Sequence, residues 1–165
     1  MSLSSALMAL LLLPPVFGHG AEDHATRRVG AWTVQARTDR FTHHATCQLR
    51  ESKVRYARQA LVFQLPGKLD TSDAVYRIDD GPVMSVRNDA MELARLGFAL
   101  HNDDLSNPSG GLVTVPAHRL AGARTVRIEA GNHGAVYRYR IDGIDQALEA
   151  GRALGCGPDD FVQAP

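Results

Sequence analysis

Two cysteines, Cys47 and Cys156, are the only thiols of the 165-residue chain, and they stand far apart in the sequence. Their separation excludes a C-x-x-C redox pair and the C-x-x-C-H sequence that attaches haem. In a chain that enters an oxidising compartment, two cysteines are most simply joined to each other. The sequence therefore predicts a Cys47–Cys156 disulfide, and the alternative is a pair of free thiols with one of them reactive.

Histidine is the second residue type with possible chemistry, since the chain has seven histidines. Zinc or copper needs three or four ligands that converge on one point. The adjacent His43 and His44 would point to opposite faces of a strand but could converge in a loop. We predict no cofactor and no metal site, with His43 and His44 as weak candidate ligands if a metal ion is bound.

A polar segment over residues 101–111 is the most loop-like part of the sequence, and loops commonly carry binding residues. The binding residues are unknown from the sequence, and this loop, with Asp103, Asp104 and Asn107, is the candidate place for a partner or ligand to bind. The segment lacks the regular acidic spacing and distal glutamate of a calcium-binding loop.

No pattern typical of a hydrolase is present. Ser106 and Ser109 are not framed as G-x-S-x-G between a strand and a helix. Asp79 and Asp80 precede a glycine, and adjacent carboxylates in that setting are mostly turn formers. We therefore predict no catalytic residues.

The N-terminal segment is typical of an export signal. Residues 6–17 are apolar over a length that suits a signal peptide and is short for a membrane span, and small residues follow. We predict a signal peptide over residues 1–20, cleaved after Gly20, with Gly18 and Ala21 as the alternative sites. The product is then periplasmic or secreted, with no transmembrane segment in the mature chain.

The remaining chain is of ordinary size for one domain, predicted over residues 21–156 and followed by a flexible tail over 157–165. Lys plus Arg and Asp plus Glu both number 18, so the formal net charge is zero. This balance indicates neither nucleic acid nor an acidic membrane as a partner.

Short runs of alternating apolar and polar residues, separated by turn formers, predict a mainly β protein. The fold class is an antiparallel β-sandwich-like single domain with one C-terminal α-helix. Two runs are predicted to bury one face, formed by Trp32, Val34 and Ala36 in the first and by Leu61, Phe63 and Leu65 in the second. The other predicted strands are a hairpin of 75–78 with 83–86, a strand over 112–115, and a hairpin of 125–129 with 135–141.

Three further segments complete the prediction. Residues 91–100 fit either a strand or a helical face, and we predict a strand. Residues 116–120 predict a single helical turn. Residues 144–154 predict the C-terminal helix, with Asp142 as its N-terminal cap and Gly155 as its end.

Several short motifs resemble the invasion-associated locus B family of small exported bacterial proteins. They are Gly30-Ala31-Trp32-Thr33-Val34, Cys47-Gln48-Leu49, Val115-Pro116 with Leu120, and Ile141-Asp142-Gly143-Ile144 with Ala147-Leu148. The resemblance implies a β-sandwich-like periplasmic or secreted protein, associated in some pathogens with invasion of host cells.

Together these patterns predict an exported, non-enzymatic protein that interacts with an unknown protein or envelope partner and has an envelope or virulence-associated role. A periplasmic protein that binds a metal or small ligand is the alternative. A hydrolase whose site no motif marks is the third possibility.

Overall fold

A computed structural model describes residues 24–67, 69–98, 106–107, 110–131 and 134–162. The strands are β1 His24–Val29, β2 Trp32–Thr38, β3 Ala45–Glu51, β4 Val54–Ala57, β5 Ala60–Gln64, β6 Val75–Ile78, β7 Val83–Ser85, β8 Ser106–Asn107, β9 Gly110–Pro116, β10 Thr125–Ala130 and β11 Ala135–Arg140. The α-helices are α1 Ala90–Arg95 and α2 Ile144–Ala153, and single 3-10 turns span Val86–Asp89 and Ala117–Leu120.

The strands form two antiparallel sheets. The large sheet has the order β1-β2-β3-β4-β5-β9-β8, and the small sheet has the order β11-β10-β6-β7. Most neighbours are joined by short turns, which is the connection that antiparallel strands allow. The predicted fold class, a mainly β sandwich-like protein with a C-terminal helix, is confirmed, and so is the single turn after Pro116.

One apolar core joins the two sheets. The inward side chains of β2, β5 and β10 are the predicted alternating residues, and Trp32, Phe63 and Ile128 are completely buried. The Phe63 ring packs on the Tyr139 ring with centroids 5.1 Å apart. The Tyr139 hydroxyl donates to the Gln64 carbonyl oxygen at 2.9 Å, so this buried polar group has a partner.

Helix α2 packs on the part of the large sheet formed by β1, β2 and β3. Its apolar stripe buries Ile144, Ala147, Ala150 and Gly151. The helix begins after Gly143, which has a φ of 83°, and the Asp142 side chain makes no cap. The prediction that Asp142 caps this helix is therefore wrong: its carboxylate instead accepts hydrogen bonds from Arg140, at 3.1 and 3.2 Å.

Residues 90–95 form a helix, so the predicted strand over 91–100 is wrong for this part, and residues 99 and 100 lie outside the described range. A strand would place Met91 and Leu93 on one face. The helix instead buries Leu93 to 7% exposure and leaves Met91 at 69%. Gly97 adopts a φ of 81°, and the Phe98 amide donates to the Leu93 carbonyl, which ends the helix in a left-handed turn.

The segment after Cys156 was predicted to be a flexible tail, but residues 157–162 pack on the large sheet. The Cys47 amide donates to the Asp160 carbonyl at 2.9 Å, and the Val162 amide donates to the Cys47 carbonyl at 3.1 Å. Phe161 is 2% exposed and meets the Tyr56 ring edge to face at 5.1 Å. This segment occupies the side of β3 that the short strand β4 does not reach, since β4 pairs only with residues 49–51.

Candidate functional site

The predicted disulfide is present. The Cys47 and Cys156 sulfurs are 2.02 Å apart, their Cα atoms are 6.1 Å apart, and both residues are buried. Cys47 lies in β3 and Cys156 follows the end of α2, so the bond joins the helix end to the sheet. Because both cysteines form this disulfide, neither has a free thiol that could act in catalysis.

His43 and His44 lie in the turn between β2 and β3, where the Asp39 carboxylate accepts hydrogen bonds from the Phe41 and Thr42 amides, each at 2.8 Å. The His44 Nδ1 atom lies 3.7 Å from an Asp160 carboxylate oxygen. Within the described ranges, no three metal-ligating side chains come together at this turn or elsewhere.

The predicted binding loop is only partly described. Asn107 belongs to β8, where it pairs with Gly110 of β9. Ser106 lies beside it in β8, whereas Asp103, Asp104 and Ser109 lie outside the described residues. Their role in contacting a partner stays a prediction.

Asp79 and Asp80 act in the turn between β6 and β7. Asp79 has a φ of 47°, and its carboxylate accepts hydrogen bonds from the Thr125 amide at 2.8 Å, the Thr125 hydroxyl at 3.0 Å and the Arg124 amide at 3.2 Å. The Asp80 side chain is fully exposed and forms an ion pair with Arg127 at 2.7 Å. The two carboxylates therefore face different partners.

We expect Asp79→Asn to lower stability at neutral pH and to have no effect at acid pH. The hydrogen bond from the Thr125 amide, followed by the other donors, lowers the pKa of Asp79 below its ordinary 3.8. A lowered pKa stabilises the folded state above pH 3.8, and this contribution is lost as the pH falls through the folded-state pKa. Urea unfolding at several pH values measures the difference. Asp80→Asn, at the exposed neighbour, is the control and should change stability little.

The outer face of the small sheet carries a row of three arginines. Arg127 of β10 lies directly opposite Arg138 of β11 on one side and opposite Arg77 of β6 on the other. We call Arg77, Arg127 and Arg138 the arginine row. Arg127 donates to the Asp80 carboxylate and to the Asp79 carbonyl, each at 2.7 Å. Neither Arg77 nor Arg138 has an ion pair with a carboxylate in the described part of the chain.

A shallow groove of about 190 Å³ lies along this row. Its apolar lining is Val75, Val83 and Val136, and Glu129 supplies a carboxylate beside the arginines. Val83 is 55% exposed and Val136 is 62% exposed. The groove thus combines apolar surface, the guanidinium groups of Arg77 and Arg127 and one carboxylate on an open sheet face, and Arg138 extends the row beside it.

A buried polar network lies on the inner side of the same sheet. The Tyr76 hydroxyl donates to the Asp89 carboxylate at 2.5 Å, and Asp89 is completely buried. Arg119 forms an ion pair with Asp89 at 2.7 Å and lies 3.9 Å from Glu92, which in turn is 3.0 Å from the His118 Nδ1 atom. Burial, and then the hydrogen bond to Asp89, raise the pKa of Tyr76 well above its usual range.

The network is held by three local elements. Tyr76 belongs to β6, Asp89 ends the first 3-10 turn, and Arg119 lies in the second. The first turn begins at Ser85, whose hydroxyl accepts a hydrogen bond from the Arg87 amide at 3.3 Å. Asp89 is completely buried and paired with Arg119, so its carboxylate joins the small sheet to both turns and is not accessible to a ligand.

Sequence reasoning missed both the arginine row and the buried network. Alternation along residues 135–141 indicates a strand with one exposed face, and Arg138 and Arg140 lie on that face. The row exists only because three strands share one register. The burial of Asp89 could not be predicted from the sequence, because Arg87-Asn88-Asp89 is a polar run without periodicity.

The fold and this site define a two-sheet antiparallel β protein, with a C-terminal helix attached by a disulfide and an arginine-bearing outer face. No protein-family model, curated protein or solved structure matches the chain. Among the described residues, no helix is long and apolar enough to cross a membrane.

Proposed function

We propose that the chain is an exported, non-enzymatic binding protein of the periplasm or the extracellular space, related to the invasion-associated locus B proteins. Its partner surface is the outer face of the small sheet. The buried disulfide supports the export, because such bonds form and persist in oxidising compartments. The sequence motifs that resemble this family support the relationship.

The arginine row is the observation that carries the binding role. Like charges placed directly opposite each other on neighbouring strands destabilise a sheet. Arg77 and Arg138 flank Arg127 on both sides, and only Arg127 is paired with a described carboxylate. Features that oppose folding are expected where function requires them. A partner with negative charge would supply the missing compensation.

Among the described residues, four groups that could perform acid–base or nucleophilic chemistry have structural partners. Asp89 is buried against Arg119, and Asp79 is bound by the Thr125 amide. Cys47 and Cys156 are joined to each other. A catalytic group must reach the reacting atoms of a substrate, and these groups face the protein itself.

Export is tested by intact mass spectrometry of the protein taken from the periplasm of an expressing bacterium, without reductant. The expected species begins near Ala21 and is two hydrogens lighter than the reduced chain. A full-length species with both thiols free would contradict export and the disulfide in that compartment.

The binding face is tested in the same cells with a photo-crosslinking amino acid at position 136. The expected result is a crosslinked species of higher mass, discrete for a protein partner and spread in mass for a polymeric one, that the same probe at position 149, on exposed α2, does not produce. Glu149 is a suitable control because its side chain is 71% exposed, comparable with Val136. Equal products from both positions, or none from position 136, would argue against this face.

A further inference from the structure

We infer that the arginine row binds a chain-like acidic polysaccharide, with its carboxylate or sulfate groups on the guanidiniums. This inference deepens the proposed function, on which it rests, by naming the class of partner for the outer face of the small sheet.

The spacing favours a ligand with repeated anions. Neighbouring strands lie about 4.8 Å apart, so three residues directly opposite one another span roughly 10 Å across the sheet. Arg77, Arg127 and Arg138 occupy these three positions. A ligand with one anion engages one or two of them, whereas a chain with successive anions engages all three.

The charges and donors also fit. A guanidinium presents a planar fork of N–H donors that matches a carboxylate or sulfate. Arg140, on the same face, already pairs with Asp142, whereas Arg77 and Arg138 on this face form no ion pair with a described carboxylate. The Asp80 side chain that pairs with Arg127 is fully exposed, so an incoming anion can compete for that arginine.

The shape favours a chain lying across the face. Pockets for small molecules bury most of the ligand surface, whereas this groove is shallow and two of its three valines, Val83 and Val136, are exposed. Val75 and Val136 offer apolar contact to the C–H groups of a sugar ring. The Glu129 carboxylate between them can accept hydrogen bonds from sugar hydroxyls.

Two other polyanions fit less well. Single-stranded nucleic acid is held by aromatic stacking, and the described groove lining presents valine, arginine and glutamate side chains to solvent, with Tyr76 directed to the buried Asp89. An acidic peptide that followed the row would cross the strands, whose backbone groups are already paired within the sheet. Its own backbone would then lose water without gaining partners.

The test is binding of the mature, disulfide-bonded protein to three probes by isothermal titration calorimetry at low ionic strength. The probes are hexagalacturonate, a short dextran sulfate and neutral dextran of matched length. We expect binding to one or both acidic glycans, none to neutral dextran, and weakening as salt is raised. The acidic glycan that binds more tightly distinguishes a carboxylate source from a sulfate source.

The variant Arg77→Gln/Arg138→Gln should weaken this binding about tenfold or more, because it removes two of the three guanidiniums that hold the anions of the ligand. Arg28→Gln/Arg152→Gln removes the same net charge from exposed positions in β1 and α2 and should leave binding nearly unchanged. The row variant should unfold at the same or a higher temperature, because it removes opposed like charges.

Several outcomes would overturn the inference. They are binding to neither acidic glycan, equal loss in both double variants, or tighter binding to a polyglutamate peptide or a single-stranded DNA of equal charge. If crosslinking at position 136 succeeds while both acidic glycans fail to bind, the ligand class is wrong and the binding role stands. If crosslinking at position 136 fails and neither acidic glycan binds, the binding role itself is wrong.

Discussion

Replacing Cys47 and Cys156 together by alanine is expected to lower the free energy of unfolding by about 4 to 5 kcal/mol. The bond spans a sequence separation of 109 residues, so in the chain-entropy model it strongly restricts the unfolded chain. This loss would remove much of the total stability of a domain of this size. Alanine is preferred to serine because both positions are buried, where a hydroxyl would need a partner.

Urea unfolding of the wild type and the double variant, at one pH and temperature, measures this loss. The wild type with reductant is the matched control and should approach the double variant, since both then lack the same constraint. The C-terminal segment should loosen in both, because the Asp160 carbonyl and the Val162 amide bind the backbone of Cys47 itself. A loss below about 1 kcal/mol would mean that the bond does not constrain the unfolded chain as the model requires.

Asp89→Ala is expected to lower the free energy of unfolding by about 3 to 5 kcal/mol, because removing one partner of a buried ion pair leaves the charge of the other partner without compensation. The change removes the acceptor of the Tyr76 hydroxyl and the counter-charge of Arg119 at once. The Arg119 side chain is 31% exposed, so water relieves part of its penalty, and the lower half of the range is the better expectation. Denaturant unfolding with tryptophan fluorescence provides the readout, since Trp32 is the single tryptophan.

Two further variants separate the ion pair from simple loss of volume. Glu92 lies at the exposed end of the same network, 3.9 Å from Arg119. Glu92→Gln should lower the free energy of unfolding by less than about 1 kcal/mol, because the Glu92 side chain is 36% exposed. Asp89→Leu/Arg119→Met replaces both partners by apolar groups and should recover part of the Asp89→Ala loss. If Asp89→Ala and Glu92→Gln proved equally mild, the network would not link the two turns to the sheet.

Local patterns in the sequence were sufficient for most of the strands. Period-two alternation predicted the buried faces of β2, β5 and β10, because the side chains of a strand alternate between faces whatever its neighbours are. The turn Asp79-Asp80-Gly81-Pro82 predicted the hairpin of β6 and β7 from backbone chemistry alone. These features depend on residues close together in the chain.

Segments whose conformation depends on distant contacts were predicted wrongly. Residues 91–95 fit both periods, and the burial of Leu93 in the folded protein selects the helix. Asp142 has the residue type of a cap, but Arg140 binds its carboxylate instead. Phe161 looked like part of a tail because nothing near it in sequence indicates the space between Tyr56 and Gly151 into which it packs.

The β-rich class and the C-terminal helix could be predicted from the sequence because they follow from residue type and local spacing, and the disulfide because the chain has only two cysteines behind an export-like N-terminal segment. Only the tertiary structure decided which arginines share a row and which carboxylate is buried. The physical reason is strand register: it places Arg127 between Arg77 and Arg138, and three residues from separate segments acquire a common face only when the sheet forms. Asp89 likewise meets Tyr76 and Arg119 only when the two turns pack on that sheet.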